Sequence, residues 1–347
     1  MINNSRILLL LSLILTLTIP GLATPTRRTL DFYFIDSEGG AATLIVTPSG
    51  ESVLIDAGWA DVEGRDAKRI QQAMQQAGIT AIDHLVVTHY HQDHYGGVPD
   101  LSRLLPVKRF YDHGKMTAMT EDPKFAQRYG AYQEAAKNES ITVRAGDTIN
   151  LKTAAGTPPV KMSLVAANSH VISSKKSSVN PECGSTTPLE DTSENGRSVA
   201  LLLSWGRFEF LNLADLTFNV SQRLVCPVNQ IGQVDLFQVT HHGGNVANNP
   251  LLLRSFRPSV SVMINGPRKG GHPDTIKWLQ EVPSFKALYQ LHRNVEIPVE
   301  QNTAVEFIAN LDEPDAAHMI RVSVDAAKRV FTVRNGRTNE SKSFIFK

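Results

Sequence analysis

The order of β-rich and helical segments in this sequence predicts an α/β fold of four layers, an αββα sandwich. Three observations predict it. Short apolar runs alternate with helical stretches from Leu30 to Leu105, strand character returns with helices between strands from Val199 to Leu291, and no internal linker divides the two series. Two facing sheets with helices outside them accommodate that order.

The elements follow from local pattern. Residues 32–35, 42–47 and 53–55 read as successive strands, with Pro48-Ser49-Gly50 as a tight hairpin turn between the second and third. Residues 66–76 fit an amphipathic helix with Ala67, Ile70, Met74 and Ala77 on one face and Gly78 where a C-terminal cap belongs. Leu85-Val86-Val87 is a buried strand that delivers Thr88 and His89, and a helix follows around residues 100–105. Rich in Ser, Thr, Asn and Pro, residues 168–197 read as a long surface loop, either carrying substrate contacts or forming an insertion. Strands are expected at 199–205, 208–213, 234–239, 259–264 and 287–291, with helical stretches between the last three, and a small antiparallel ending at 319–324, 330–333 and 343–346.

The first residues read as a secretory signal peptide, 1–23. Arg6 is its positive end, residues 7–19 its uncharged apolar core, and Pro20-Gly21-Leu22-Ala23 ends in small residues suited to cleavage. The apolar run is shorter than the roughly 20 residues of a membrane span. The mature chain is therefore expected to begin at Thr24, to be secreted or periplasmic with no membrane anchor, and to form one domain over 24–347. The 35 Lys and Arg face 34 Asp and Glu, and loss of Arg6 makes them equal. Such a balance argues against a dedicated nucleic-acid binder, leaving nucleic acid as a possible substrate only. Cys183 and Cys226 are the only cysteines. An oxidising compartment allows them to pair, while thiols this far apart in sequence can equally stay unpaired or buried; neither has the spacing of a zinc knuckle.

The most informative segment is Thr88-His89-Tyr90-His91-Gln92-Asp93-His94-Tyr95-Gly96-Gly97, which sets three imidazoles and a carboxylate within six positions at a strand end. Such a set can be aimed at two metal ions. Imidazole and carboxylate suit zinc, with manganese and iron also accommodated. Gly96 and Gly97 would let the backbone turn sharply away from the crowded site. A surface His-rich tract is the bland alternative.

This segment resembles the signature of the metallo-β-lactamase-fold hydrolases, and the resemblance extends over nearly the whole mature chain. It implies an αββα sandwich of the metallo-β-lactamase type. Ile55-Asp56-Ala57-Gly58 resembles the first motif, an Asp that buttresses the metal loop, and Leu211-Asn212-Leu213-Ala214-Asp215 resembles the strand-borne bridging Asp, with Ala214 where Gly is usual. Within the superfamily the chain is most similar to the ComEC-like group. Four features carry this: Phe34-Ile35-Asp36 with Gly39-Gly40, the pair Asn195 and Ser198, Thr240-His241-His242-Gly243-Gly244, and Gly271-His272-Pro273. Two departures matter. The superfamily's third-motif His has no clear counterpart, and the long multi-helical membrane region of a DNA-uptake channel is absent from the sequence, so the resemblance implies chemistry and not transport.

On this reading His89, His91 and Asp215 hold one metal and Asp93, His94 and Asp215 the other, with His241 and His272 filling remaining positions. His242, Asp56 and Asn195 are candidates for orienting the ligands. Two residues are assigned catalytic parts: Asp93 to orient the nucleophile or receive its proton, and His242 to face the substrate. Arg268 and Lys269 could receive an anionic oxygen, or simply be solvated. Packing or surface roles are expected for His84, His113 and His292, and His170 and His318 have no supporting context. The chemistry expected is hydrolysis by a hydroxide generated on two divalent ions, acting on a small-molecule phosphate ester or phosphodiester, nuclease-like in one form. A lactonase or other carboxylic-ester hydrolase is the alternative. A β-lactamase is disfavoured because Asp215 sits where zinc β-lactamases commonly use another residue, and a non-catalytic binding protein because the ligand set is nearly complete.

Overall fold

The computed structural model describes residues 29–173, 178–184, 189–311 and 316–346; the expected leader and the cleavage point before Thr24 lie outside them. Among these residues are two nine-stranded sheets. In the first, Leu30–Phe34, Thr43–Val46, Ser52–Ile55, His84–Val86 and Phe110–Asp112 lie side by side, and the late strand Ile320–Asp325 pairs antiparallel with Leu30–Phe34. In the second, Val160–Ala167, Ala200–Trp205, Phe208–Asn212, Leu236–Gln238, Val260–Met263 and Ala287–His292 are neighbours, parallel from Phe208–Asn212 onward.

Period-two geometry explains the layering. From one strand, Phe32 and Phe34 enter the core between the sheets while Tyr33 enters the core beneath the outer helices. All five residues of Leu30–Phe34 are therefore buried, which is why residues 32–34 read as apolar without alternation, Asp31 being the one charged residue. Helices Arg65–Ala77, Val98–Leu104 and Phe125–Ala135 bury side chains in the layer outside the first sheet, and Pro250–Phe256 and Pro273–Gln280 in the layer outside the second. The expected helix carries Gly78 as a left-handed cap at φ 65°, bonded back to the carbonyls of Gln75 and Met74. Cys183 and Cys226 form a disulfide that ties the 168–197 segment to the chain just after Asp215. Among the described residues no helix is long and apolar enough to cross a membrane.

Candidate metal centre

Two parallel strands of the first sheet build the floor of the site. Asp56 follows Ser52–Ile55 and Thr88 lies just beyond His84–Val86. The Thr88 backbone N–H donates to Asp56 Oδ1 at 2.8 Å, and Asp56 Oδ2 accepts from Thr88 Oγ1 at 2.7 Å and pairs with His94 Nδ1 at 2.8 Å. A carboxylate on Nδ1 fixes a proton there, so that the proton a ligand imidazole must give up is the one on His94 Nε2. His94 and Asp93 sit on the one-turn helix Gln92–Tyr95. Behind it, a Cβ on Gly97 would come within 2.0 Å of Ala57 O and one on Gly96 within 2.1 Å of Gln92 O. Both glycines have ordinary right-handed φ, −61° and −78°. They serve close backbone approach, and not the sharp turn expected from sequence.

The second sheet supplies the opposite wall. Asp215 follows Phe208–Asn212 through Ala214, whose φ of 49° is left-handed and whose N–H donates to Asn212 Oδ1 at 2.7 Å. Next to it, Leu236–Gln238 leads into residues 240–243, where His241 and His242 are both left-handed, at φ 51° and 52°. The backbone coils there. His242 consequently swings inward, almost fully buried, with Nε2 3.1 Å from Asp93 Oδ2 and 3.4 Å from Asp215 Oδ2, while Nδ1 lies 3.2 Å from Ile264 O.

Asp93, His94, Asp215 and His242 thus form a buried group whose donor atoms all lie within 4.8 Å of one another. Asp215 Oδ2 is its hub, 3.3 Å from His94 Nε2, 3.6 Å from His241 Nε2 and 4.0 Å from His89 Nε2. His89 Nε2 is in turn 3.0 Å from His91 Nδ1. One four-residue group and a looser set of three imidazoles therefore share one carboxylate.

The electrostatics of the group are set by its two buried carboxylates. Burial pushes the Asp93 and Asp215 carboxyls up, but His94 and His242 outweigh it and hold both well below the usual carboxylate range; Lys269 adds to the effect at Asp93. Burial pushes His94 down, yet Asp215, Asp93 and Asp56 hold it well above the ordinary imidazole value, and His242 is raised against burial by Asp215 and Asp93. His89 and His241 go the other way, lowered by burial, with His94 a further cause in both. The Lys269 ammonium lies directly against Asp93 Oδ2. Two buried carboxylates here draw in whatever positive charge the chain can offer, so the donor set fits a divalent cation.

Residues 36–160 match the Metallo-beta-lactamase superfamily. That match includes the Asp56 motif and the whole metal loop, and ends before Asp215. It is similar to the lactamase-like protein notP of an Aspergillus species, 32% identical over 114 residues, 31% of each chain. An atrochrysone carboxyl ACP thioesterase of Aspergillus terreus is 42% identical over 67 residues, 19% of this chain and 20% of the relative. ComE operon protein 3 of Bacillus subtilis is 23% identical over 233 residues, 66% of this chain and 25% of that one. The matches thus span a third or less of the length of these relatives.

Three of the expected site residues stand differently in the structure from their expected placement. His242, expected to face substrate, lies in the buried group because the chain coils at His241 instead of remaining extended. His241, expected as the leading ligand of that strand end, stands beside Asp215 with its side chain 29% exposed. His272 is not in the group: its side chain is 42% exposed and its Nδ1 accepts the Asp274 N–H at 3.2 Å, capping the helix that Pro273 begins. Asn195 is not in the group, and its Oδ1 is buried without a hydrogen-bond partner. Its neighbour Glu194, which sequence reasoning missed, accepts the Tyr90 N–H at 2.6 Å and pairs with His113 Nε2 at 2.8 Å, bracing the loop from outside. His84 and His292 are buried against Glu51 and Asp36. His170 is exposed, with Nδ1 2.7 Å from Asn168 O, so neither it nor His113 stands in for the third-motif His.

Proposed function

We propose that this protein is a metal-dependent hydrolase of phosphoric diesters or esters, exported by its leader. The observation that carries the reading is the convergence of Asp93, His94, His242 and Asp215 in one buried group, with His89, His91 and His241 gathered toward the same Asp215. The first four would hold one divalent cation, and the three imidazoles with Asp215 a second. Divalent ions held so, zinc by ligand type, supply Lewis acidity and a water acidified toward neutral pH. The chain's own residues do the rest. Asp56 fixes the His94 tautomer, the Ile264 carbonyl orients His242, and Glu194 braces the loop through the Tyr90 amide.

A phosphoric ester is favoured by the cationic Lys269 at the group's edge. Nucleic acid enters this reading as substrate only. A second reading, hydrolysis of a carboxylic ester such as a lactone or thioester, is favoured by the segment shared with the thioesterase. Metal-quantified mature protein, assayed on bis-p-nitrophenyl phosphate, a p-nitrophenyl carboxylic ester, a lactone and an acyl thioester, separates the two. Turnover of the phosphodiester at least about tenfold above the others is expected, a preference of ~1.4 kcal/mol; preference for the lactone or thioester would reject the phosphoric-ester reading.

A further inference from the structure

We infer that Lys269 is an anion-binding, substrate-positioning residue, resting on Asp93 and the face of Trp59 in the metal-free protein and turned to an anionic substrate oxygen once a cation is held by the Asp93 group. The inference rests on the metal-site reading above.

The geometry begins at Asp93 Oδ2. That one oxygen meets the Lys269 ammonium and also lies 3.1 Å from His242 Nε2 and 3.3 Å from His94 Nε2. An ammonium there competes with a divalent ion for that oxygen, because the two positive charges would stand within a few ångströms of each other in a poorly solvated site. Metal binding therefore weakens the hold of Asp93 on the ammonium and favours its release. Its flexible stem allows that, and Trp59 offers a nearby hold: Nζ lies 4.7 Å from the centre of the Trp59 ring. Beside Trp59 opens a cleft of about 400 Å³, lined also by His91 and Asp93 and by both acidic and basic groups, Glu121 and Asp122 against Lys124 and Arg128. Held over Trp59, which lines this cleft, a released ammonium would stay at its edge, within reach of an entering anionic group.

The backbone around Lys269 is built to hold it there. Gly266 N–H donates to Lys269 O at 2.9 Å, and Gly271 N–H donates to His242 O at 2.9 Å, tying this loop to a residue of the buried group. Gly270 has φ 71°, and a Cβ on it would meet His242 O at 2.0 Å; Gly39, at φ 84°, leaves room for the Lys269 side chain, whose Cβ would be 3.0 Å from a Cβ there. Gly39 thereby makes room for the lysine, while Gly270 lets its loop pack against the His242 carbonyl.

The test uses the full mature chain and needs no turnover. Zinc affinity is measured by competition with a chromophoric chelator, and inorganic phosphate binding to the zinc-loaded protein by calorimetry, for wild type, Lys269→Met and Lys269→Arg, with circular dichroism to confirm folding. Lys269→Met is expected to bind zinc about tenfold more tightly, because the internal competitor is gone, and phosphate about tenfold more weakly, each ~1.4 kcal/mol. Lys269→Arg keeps the charge and should bind phosphate within about threefold of wild type. A change below about threefold in either quantity for Lys269→Met overturns the inference. Absence of turnover on phosphodiesters would reject only the substrate class, whereas wild-type protein that binds no zinc would remove the metal reading and this inference with it.

Discussion

Replacing Asp56 by Asn changes almost no volume and probes how the site is held. Asp56 is 1% exposed and serves three donors: Thr88 N–H through Oδ1, and Thr88 Oγ1 and His94 Nδ1 through Oδ2. An amide has one acceptor oxygen and one NH2. If its oxygen faces His94, the NH2 meets the Thr88 N–H donor to donor; if it flips, the NH2 faces His94 Nδ1. At least one bond to a charged acceptor is lost in either arrangement, worth about 1.5–3 kcal/mol, and a buried donor is left facing another donor. The metal-free variant should thus be less stable by about 2–3 kcal/mol in urea unfolding followed by tryptophan fluorescence. With the His94 tautomer no longer fixed, zinc affinity should fall about 10–100-fold in chelator competition. Stability within about 0.5 kcal/mol of wild type, together with affinity within about twofold, would refute the claim that Asp56 orients the ligand.

Three further outcomes follow from the same geometry. His242→Ala should weaken zinc binding by at least about tenfold while His272→Ala leaves it within about twofold, and equal losses in chelator competition would contradict the placement of these two residues. Zinc binding at neutral pH should release about one proton or more, because Asp215, Asp93 and Asp56 keep metal-free His94 protonated and a ligand imidazole must be neutral. Affinity should accordingly rise with pH; calorimetry in buffers of different ionisation enthalpy reads the protons, and none released would contradict the charge state. Cys183→Ser with Cys226→Ser should lower stability by about 2–4 kcal/mol for a bridge closing 43 residues, measured by guanidinium unfolding, and a loss under about 0.5 kcal/mol would contradict it.

Much of the fold was legible because its central strands are buried on both faces. Residues 32–35 and 53–55 read as apolar runs for that reason, and Arg65–Ala77 announced itself by one apolar face and a capping glycine. Less visible were Phe110–Asp112, only three residues long, and Phe125–Ala135, whose Phe125, Tyr129 and Tyr132 are its only buried residues and whose middle holds Gly130. In Val160–Ala167, Lys161 and Ser163 interrupt the apolar pattern.

At the candidate site, the residue types of the metal loop were plain from spacing, but side-chain direction was not. The extended-chain rule sends neighbouring residues to opposite sides. It failed at His241 and His242 because both adopt left-handed backbone, unusual for residues other than Gly, Asn and Asp. Pro273 was correctly placed at a helix start, yet that same cap turned the His272 ring to the helix's own Asp274 amide. Glu194 had no local signal, since its role arises only when the segment before Asn195 packs against Tyr90.

The central claim is that the Asp93, His94, His242 and Asp215 group, with its neighbouring imidazoles, makes this protein a metal-dependent hydrolase. Metal content and phosphodiester turnover measured on the same sample, before and after chelation and again after zinc is restored, test it most directly. The account predicts about two ions per chain, loss of turnover on chelation and recovery in proportion to the metal returned. Turnover that survives complete removal of the metal, or a fully metal-loaded protein with no hydrolytic activity on any ester of the panel, would contradict it.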